Sequence, residues 1–356
     1  MSTVPSLKER GIPEFNDFSV DFSDEASLKS GAFELTSKIR PEWPASELRT
    51  KIFSDGVTNV LIGVYRDGFK ADMILIRCYG LNTDQMIDRK VEIANLLRFY
   101  DLGRGSQLYA TFANGIAYEF IPGEMLTPEL IVEEEVADLT IEMFARMHKV
   151  PIEKGQEACL WSRLRRFWDL CPDSWDAEKT ARVKELGIPS KAELKAEIDE
   201  FEGLLKGCDS PVVFCHNDLL LGNIILAPDR SKVTFIDYEY GAPNYLAFDL
   251  GNHFDEFVGV GADMDYAGLY PKEDAQKRWL TKYLKAFKGT SEVSEEEVNK
   301  LYVLTNQFAL LAHLQWGIWS LVQAANSSID FDFLDYSNQR LREMRTRKSW
   351  ALNLGK

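Results

Sequence analysis

The side chains best suited to chemistry stand close together in Cys215-His216-Asn217-Asp218-Leu219-Leu220-Leu221-Gly222-Asn223, with Asp237 fourteen residues past Asn223 in Phe235-Ile236-Asp237-Tyr238-Glu239. A His-x-Asp-x-x-x-x-Asn loop with an Asp on the following strand can move a phosphoryl group. Asp218 would orient an attacking hydroxyl and accept its proton, while Asn223 and Asp237 supply the oxygen ligands that Mg²⁺ prefers. Glu239, two residues on, could support a second ion or its waters. His216 reads as a scaffold residue tying the loop to the next strand. Taken singly, His, Asn and Asp are more simply explained as turn and cap formers. The complete set at these intervals, between two apolar runs, favours the chemistry.

Positioning such a set calls for a hairpin. Ile224-Ile225-Leu226 is followed by the polar turn Pro228-Asp229-Arg230-Ser231, and the chain returns as Lys232-Val233-Thr234-Phe235-Ile236. Two strands in that order carry Asn223 and Asp237 side by side.

Upstream, strand alternation runs through 58–65 and 73–79 around the turn Arg66-Asp67-Gly68. A helix over about 85–100 and strands at 107–112 and 116–121 follow, and an earlier helix is expected after Ser23, closed by Pro41. Downstream the pattern is mostly helical, over 128–149, 191–206, 272–288 and 295–325. In the first of these, Thr127 is the N-cap and Arg146, His148 and Lys149 sit at the basic end, so His148 reads as a dipole-stabilised terminal residue rather than a catalyst.

With 356 residues and 45% hydrophobic content, the chain can bury a core large enough for two lobes. A formal charge of −15 argues against nucleic acid or an anionic membrane surface as the main partner and suits a small cationic substrate. Five cysteines without metal or disulfide spacing suggest a reducing compartment, and four scattered histidines argue against zinc. No apolar run has the length of a signal peptide core or a membrane span, so a cytoplasmic protein is expected.

The run from Val213 to Ile225, together with Phe235-Ile236-Asp237-Tyr238-Glu239-Tyr240 and Asn244-Tyr245-Leu246-Ala247-Phe248-Asp249-Leu250-Gly251-Asn252-His253-Phe254, resembles the choline and ethanolamine kinases. Generic kinases carry Asp-Phe-Gly where Asp237-Tyr238-Glu239 stands here. The resemblance spans about 51–342 and is closest to the ethanolamine branch, through Asp218-Leu219-Leu220, the run 244–249, Tyr266 and Tyr270-Pro271. It implies an α+β, bilobal protein-kinase-like fold. The small lobe, 1–122, would hold an antiparallel sheet plus helix and bind the nucleotide, its first fifty residues being a loosely matched helical extension. The large, mostly helical lobe, 123–356, would carry the catalytic loop, metal site and amine pocket. ATP and Mg²⁺ would be the cofactors, and ATP-dependent phosphorylation of ethanolamine, the first step of the ethanolamine branch of phospholipid synthesis, the activity. Choline kinase, another small amino-alcohol or aminoglycoside kinase, and a catalytically silent nucleotide-binding scaffold remain open, and a homodimer is a state the resemblance allows.

On that footing Ser54, Thr58 and Asn59 fall where a kinase places its phosphate-covering loop, although any hairpin turn would look much the same. Arg77 takes the place of the phosphate-gripping Lys, its planar fork suited to phosphate oxygens, and Glu92 would pair with it, unless each is an ordinary surface charge. Glu119 to Ile121 would read adenine through backbone groups. Trp316 and Trp319, three apart, share a helix face and would offer an ammonium group a cation–π wall with Phe331. By periodicity alone they fill a core instead. Asp218 and Glu256 are the candidate acceptors for the ammonium N–H groups, with Tyr240 beside them. Asp249 would anchor the catalytic loop through backbone N–H groups.

Overall fold

The computed structural model describes residues 5–53, 59–80, 83–261, 264–327 and 329–355, and the chain divides into two units: Met1–Gly123 with Ser327–Phe331, and Glu124–Asn326 with Asp332–Lys356.

The first unit comprises β1 (Glu14–Phe15), α1 (Glu25–Ile39), β2 (Leu48–Phe53), β3 (Asn59–Arg66), β4 (Ile74–Tyr79), α2 (Arg89–Asp101), β5 (Leu108–Phe112) and β6 (Gly115–Glu119). Its six strands lie in the order β1-β5-β6-β4-β3-β2, antiparallel except for the short parallel pair β1 and β5. Successive strand residues point to opposite faces. On β4, Ile74, Ile76 and Cys78 therefore pack with Leu28, Ala32 and Leu35 of α1, while Tyr79 packs with the Leu96 and Leu97 side of α2. Arg77 is on that second face. The first fifty residues are thus part of the core, with β1, α1 and the start of β2 built from them. Helix α1 begins one residue later than Ser23 suggested, because Asp24 caps the N–H groups of Ala26 and Ser27. Helix α2 likewise starts at Arg89 rather than about 85, after the Asp88 cap and a single 3₁₀ turn over Thr83–Gln85.

The second unit runs through β7 (Glu124–Met125), α3 (Pro128–Ile131), α4 (Glu134–His148), α5 (Leu160–Leu170), α6 (Ala177–Leu186) and α7 (Lys191–Leu205). It continues with β8 (Val212–Cys215), β9 (Ile224–Leu226), β10 (Val233–Phe235), β11 (Ala242–Tyr245), α8 (Leu246–Asp255), α9 (Tyr266–Leu269), α10 (Glu273–Lys288), α11 (Glu295–Asn326) and α12 (Phe333–Asn353). The single helix expected over 128–149 is two, since Glu133 adopts an extended conformation and interrupts it. Helix α11 has 32 residues, about 48 Å of rise, and 21 of them are buried. Helices α8 and α12 pack against it, and α8 approaches so closely that a Cβ on Gly251 would lie 2.6 Å from the Thr305 carbonyl oxygen. No described helix is long and apolar enough to cross a membrane.

Candidate active site

The expected hairpin forms, with Ile224 opposite Phe235 and Leu226 opposite Val233. Its open end is held by Ile236 N–H donating to the Asn223 carbonyl at 3.0 Å, which brings Asn223 beside the residue preceding Asp237. The Asn223 side-chain amide donates to the Asp218 carbonyl at 2.8 Å, so its N–H end is occupied and its oxygen is the end left for a ligand. Asp237 adopts the left-handed region, φ 63°, which Asp tolerates better than most residues. Its carboxylate comes within 4.8 Å of that of Glu239, in the 3₁₀ turn Tyr238–Tyr240. Oxygen donors from an amide and two carboxylates, with the amide's nitrogen already satisfied, fit a hard divalent cation.

Asp218 lies in the loop between β8 and the Leu221–Asn223 turn and is half-buried. Neither of its carboxylate oxygens accepts a hydrogen bond from a described residue. Burial, then the like charges of Glu256, Glu239 and Asp237, push its carboxyl group well above the usual range, with Arg163 opposing them. Such a group is poised to take up a proton or a cation.

The loop is fastened from below. Asp249, fully buried on α8, accepts the backbone N–H of His216 at 2.9 Å and of Asn217 at 2.6 Å. His148 adds a third bond, Nε2 to Asp249 Oδ2 at 3.0 Å, and its Nδ1 stands 2.6 Å from the Tyr283 hydroxyl. Burial alone would raise the Asp249 carboxyl, but the His148 bond, the nearby imidazoles and the Asn217 N–H together bring it below its usual value. The sequence reading of His148 as a dipole-stabilised terminus needs correcting: it ends α4, but its side chain is buried and locks Asp249. His216 donates from Nε2 to the Ile236 carbonyl at 2.8 Å, linking the loop to the end of β10. Burial lowers its pKa, so the ring is neutral.

Asn217, not singled out from sequence, also takes the left-handed region, φ 67°. Its amide donates to the Tyr240 carbonyl at 2.9 Å and its oxygen accepts from Asn244 at 2.7 Å. A polar residue that tolerates positive φ was the only available signal.

The aromatic residues are more tied down than an open wall would be. Trp316 Nε1 donates to Asn252 at 2.7 Å, Trp319 Nε1 donates to the Tyr240 hydroxyl at 2.9 Å, and the rings of Tyr240, Trp316 and Trp319 meet edge-on at 5.3 and 5.7 Å. Both indoles are buried, and Trp319 also meets Phe333 edge-on. Phe331 belongs to the first unit. Glu256 is buried, with Oε1 accepting from Arg340 at 2.7 Å.

In the first unit Arg77 and Glu92 are both buried and form a salt bridge, so neither is an ordinary surface charge. Arg89, unanticipated, shares Glu92 at 2.9 Å and stacks over Tyr79. Asn59 opens β3 and accepts from the Gly80 N–H at 3.4 Å. Ser54 and Thr58 lie outside the described residues. At the end of β6 the N–H of Glu119 is bonded to the Gln107 carbonyl and that of Phe120 to the Met73 carbonyl. The Ile121 N–H has no partner among the described residues.

Comparison with known proteins gives the family and the fold. Residues 50–345 match the choline/ethanolamine kinase family. Human ethanolamine kinase 1 is 40% identical over 342 residues, covering 94% of this chain and 75% of that protein. A probable ethanolamine kinase of Nematostella vectensis is 39% identical over 99% of both chains. Among solved structures, Plasmodium vivax ethanolamine kinase superposes with a TM-score of 0.78 at 29% identity, covering 90% of this chain and 89% of that one. Choline kinase of Cryptosporidium parvum superposes at 0.75, with 24% identity over 92% and 97% of the two chains, and shares the fold.

Proposed function

The chain belongs to the choline/ethanolamine kinase family, and from that premise we propose that it transfers the γ-phosphoryl group of ATP to the hydroxyl of ethanolamine, giving phosphoethanolamine and ADP. Identity near 40% to ethanolamine kinases over nearly the whole chain supports the acceptor. The observation that carries the chemistry is the carboxylate of Asp218, held on a fastened loop beside the metal-type donors Asn223, Asp237 and Glu239 and unpaired among the described residues.

In this reading Asp218 accepts the hydrogen bond of the substrate hydroxyl and then its proton. Because phosphoryl transfer states are loose, aiming the oxygen matters more than basicity. Asn223 and Asp237, with Glu239 in support, would hold Mg²⁺, which neutralises charge on the phosphate oxygens when bound. Arg77, kept in register by Glu92, contributes fixed positive charge to the phosphates, and Asn59 adds a polar contact. The Ile121 N–H and Glu119 backbone read adenine. Tyr240, Trp316 and Trp319 flank the ammonium group, whose N–H donors go to Asp218 and Glu256. Such chemistry on a small soluble amine suits the cytoplasm, where ATP and Mg²⁺ are supplied.

The test is Asp218→Asn. Turnover should fall by at least about 10³-fold, the scale expected when a group that aims and deprotonates the nucleophile is lost, with ATP affinity nearly unchanged. Surviving turnover would remove Asp218 from this role.

A further inference from the structure

Among the described residues Arg340 is the largest side chain that is fully buried, and it lies on α12, far in sequence from the catalytic-loop motif. Its Nη1 donates to Glu256 Oε1 at 2.7 Å and stands 3.5 Å from the Tyr336 hydroxyl. An enclosed Arg–Glu pair is not an efficient way to stabilise a helical core: well-packed apolar residues of similar size are often equal or better, because desolvating two ions cancels much of their attraction. Its presence therefore asks for another reason, and the surroundings supply one.

Glu256 opens the 3₁₀ turn Glu256–Val258 directly after α8 and is nearly inaccessible, so without a cation it would be held in its neutral form by burial. Arg340 engages one oxygen only. The other oxygen accepts no hydrogen bond from a described residue, yet it is not among the sealed, unsatisfied atoms. Glu256 also bears electrostatically on Asp218, more strongly than either Glu239 or Asp237. A buried carboxylate with one oxygen held by a cation and the other accepting no bond from a described residue is arranged as an acceptor with capacity to spare.

We infer that Arg340 is a positioning residue for the ammonium group of the substrate: by holding one oxygen of Glu256 it presents the other to the amine. This rests on the reading of Glu256 as an ammonium acceptor given above. A guanidinium suits the task because it keeps its charge when buried, even with Nη1 alone engaging Glu256. Arg340 itself touches neither substrate nor nucleotide, so its influence on catalysis passes through Glu256.

The experiment is a double-mutant cycle of Arg340→Met and Glu256→Gln, with Arg340→Lys as the conservative variant, read as separate KM values for ethanolamine and ATP, kcat and melting temperature. Arg340→Met should raise KM for ethanolamine by about tenfold or more and leave KM for ATP unchanged, the signature of lost substrate binding rather than lost chemistry. Arg340→Lys should recover part of that loss. The double variant should match Glu256→Gln in KM and regain the stability that Arg340→Met loses by stranding a buried carboxylate. Should Arg340→Met not fold, the double variant still decides. A KM for ethanolamine well above that of Glu256→Gln would show that Arg340 acts elsewhere, and an unchanged KM in folded Arg340→Met would overturn the proposal directly. An unchanged KM in Glu256→Gln would overturn it too, by removing Glu256 from the amine site, while leaving the kinase reading intact so long as the unmodified enzyme consumes ATP with ethanolamine.

Discussion

Single buried residues in this chain carry charge states that exposed ones could not. Asp255, beside Glu256, is fully enclosed, and burial pushes its carboxyl up to about 8 against the pull of Arg340 and Arg347. His313, 3.1 Å away, is held well below the usual imidazole value, first by burial and then by the same two arginines. At neutral pH the pair is therefore an acid that keeps its proton and an uncharged ring. The native state binds a proton at Asp255 that the unfolded chain, with an ordinary carboxyl, releases near 4. Its contribution is fully present below that value and is lost as pH rises toward 8. Asp255→Asn should remove this slope. The variant's advantage in melting temperature over the parent should grow between pH 5 and 8, by several degrees at ~2–4 °C per kcal/mol for a domain of about 200 residues. Parallel melting curves at every pH would contradict it. Residues of this kind were the hardest to see beforehand. Asp218, Asn223 and Asp237 announce themselves because their types and spacing have few other uses, whereas Arg340 and His313 look like any surface Arg or core His until their burial is known.

At the scale of elements, α8 is the part around which the site is organised. Every one of its ten residues is buried, and its polar members reach different parts of the second unit. Asp249 holds the loop N–H groups, Asn252 receives Trp316, His253 donates to the Leu219 carbonyl and Asp255 faces His313. Asp249→Ala would strand the His216 and Asn217 N–H groups and the His148 ring without acceptors, each costing about 1–3 kcal/mol. Its melting temperature should drop by several degrees and its activity disappear, while Asp218→Ala should lose activity with little change in melting. Equal melting temperatures would refute the anchoring role. The β9–β10 hairpin was legible from local pattern, and the anchor at Asp249 from the family resemblance alone. Helix α8 itself was not, because a ten-residue, largely apolar run is too short to tell a buried helix from a buried strand by pattern. Helix α12 escaped for the opposite reason: its buried Phe333, Leu334, Leu341 and Met344 are diluted by a strongly charged outer face.

For the molecule as a whole, the run β3, β4, α2, β5, β6 was readable because alternation and turn signals are strong there, whereas the short β1 and the strand β2 were not anticipated. The role of the first fifty residues was hidden, since Val20, Leu28, Ala32 and Leu35 acquire meaning only once they cover the strand faces of β3 and β4. Composition set useful bounds, and a charge of −15 sits well with a cationic acceptor, but it could not choose among amines. That choice is the centre of the account, and the most direct measurement of it is ADP release by the unmodified enzyme, with Mg²⁺ and ATP, across ethanolamine, choline and other amino alcohols. Ethanolamine should give the highest kcat/KM. Higher efficiency with choline, or no stimulation of ADP release by any amino alcohol, would contradict it.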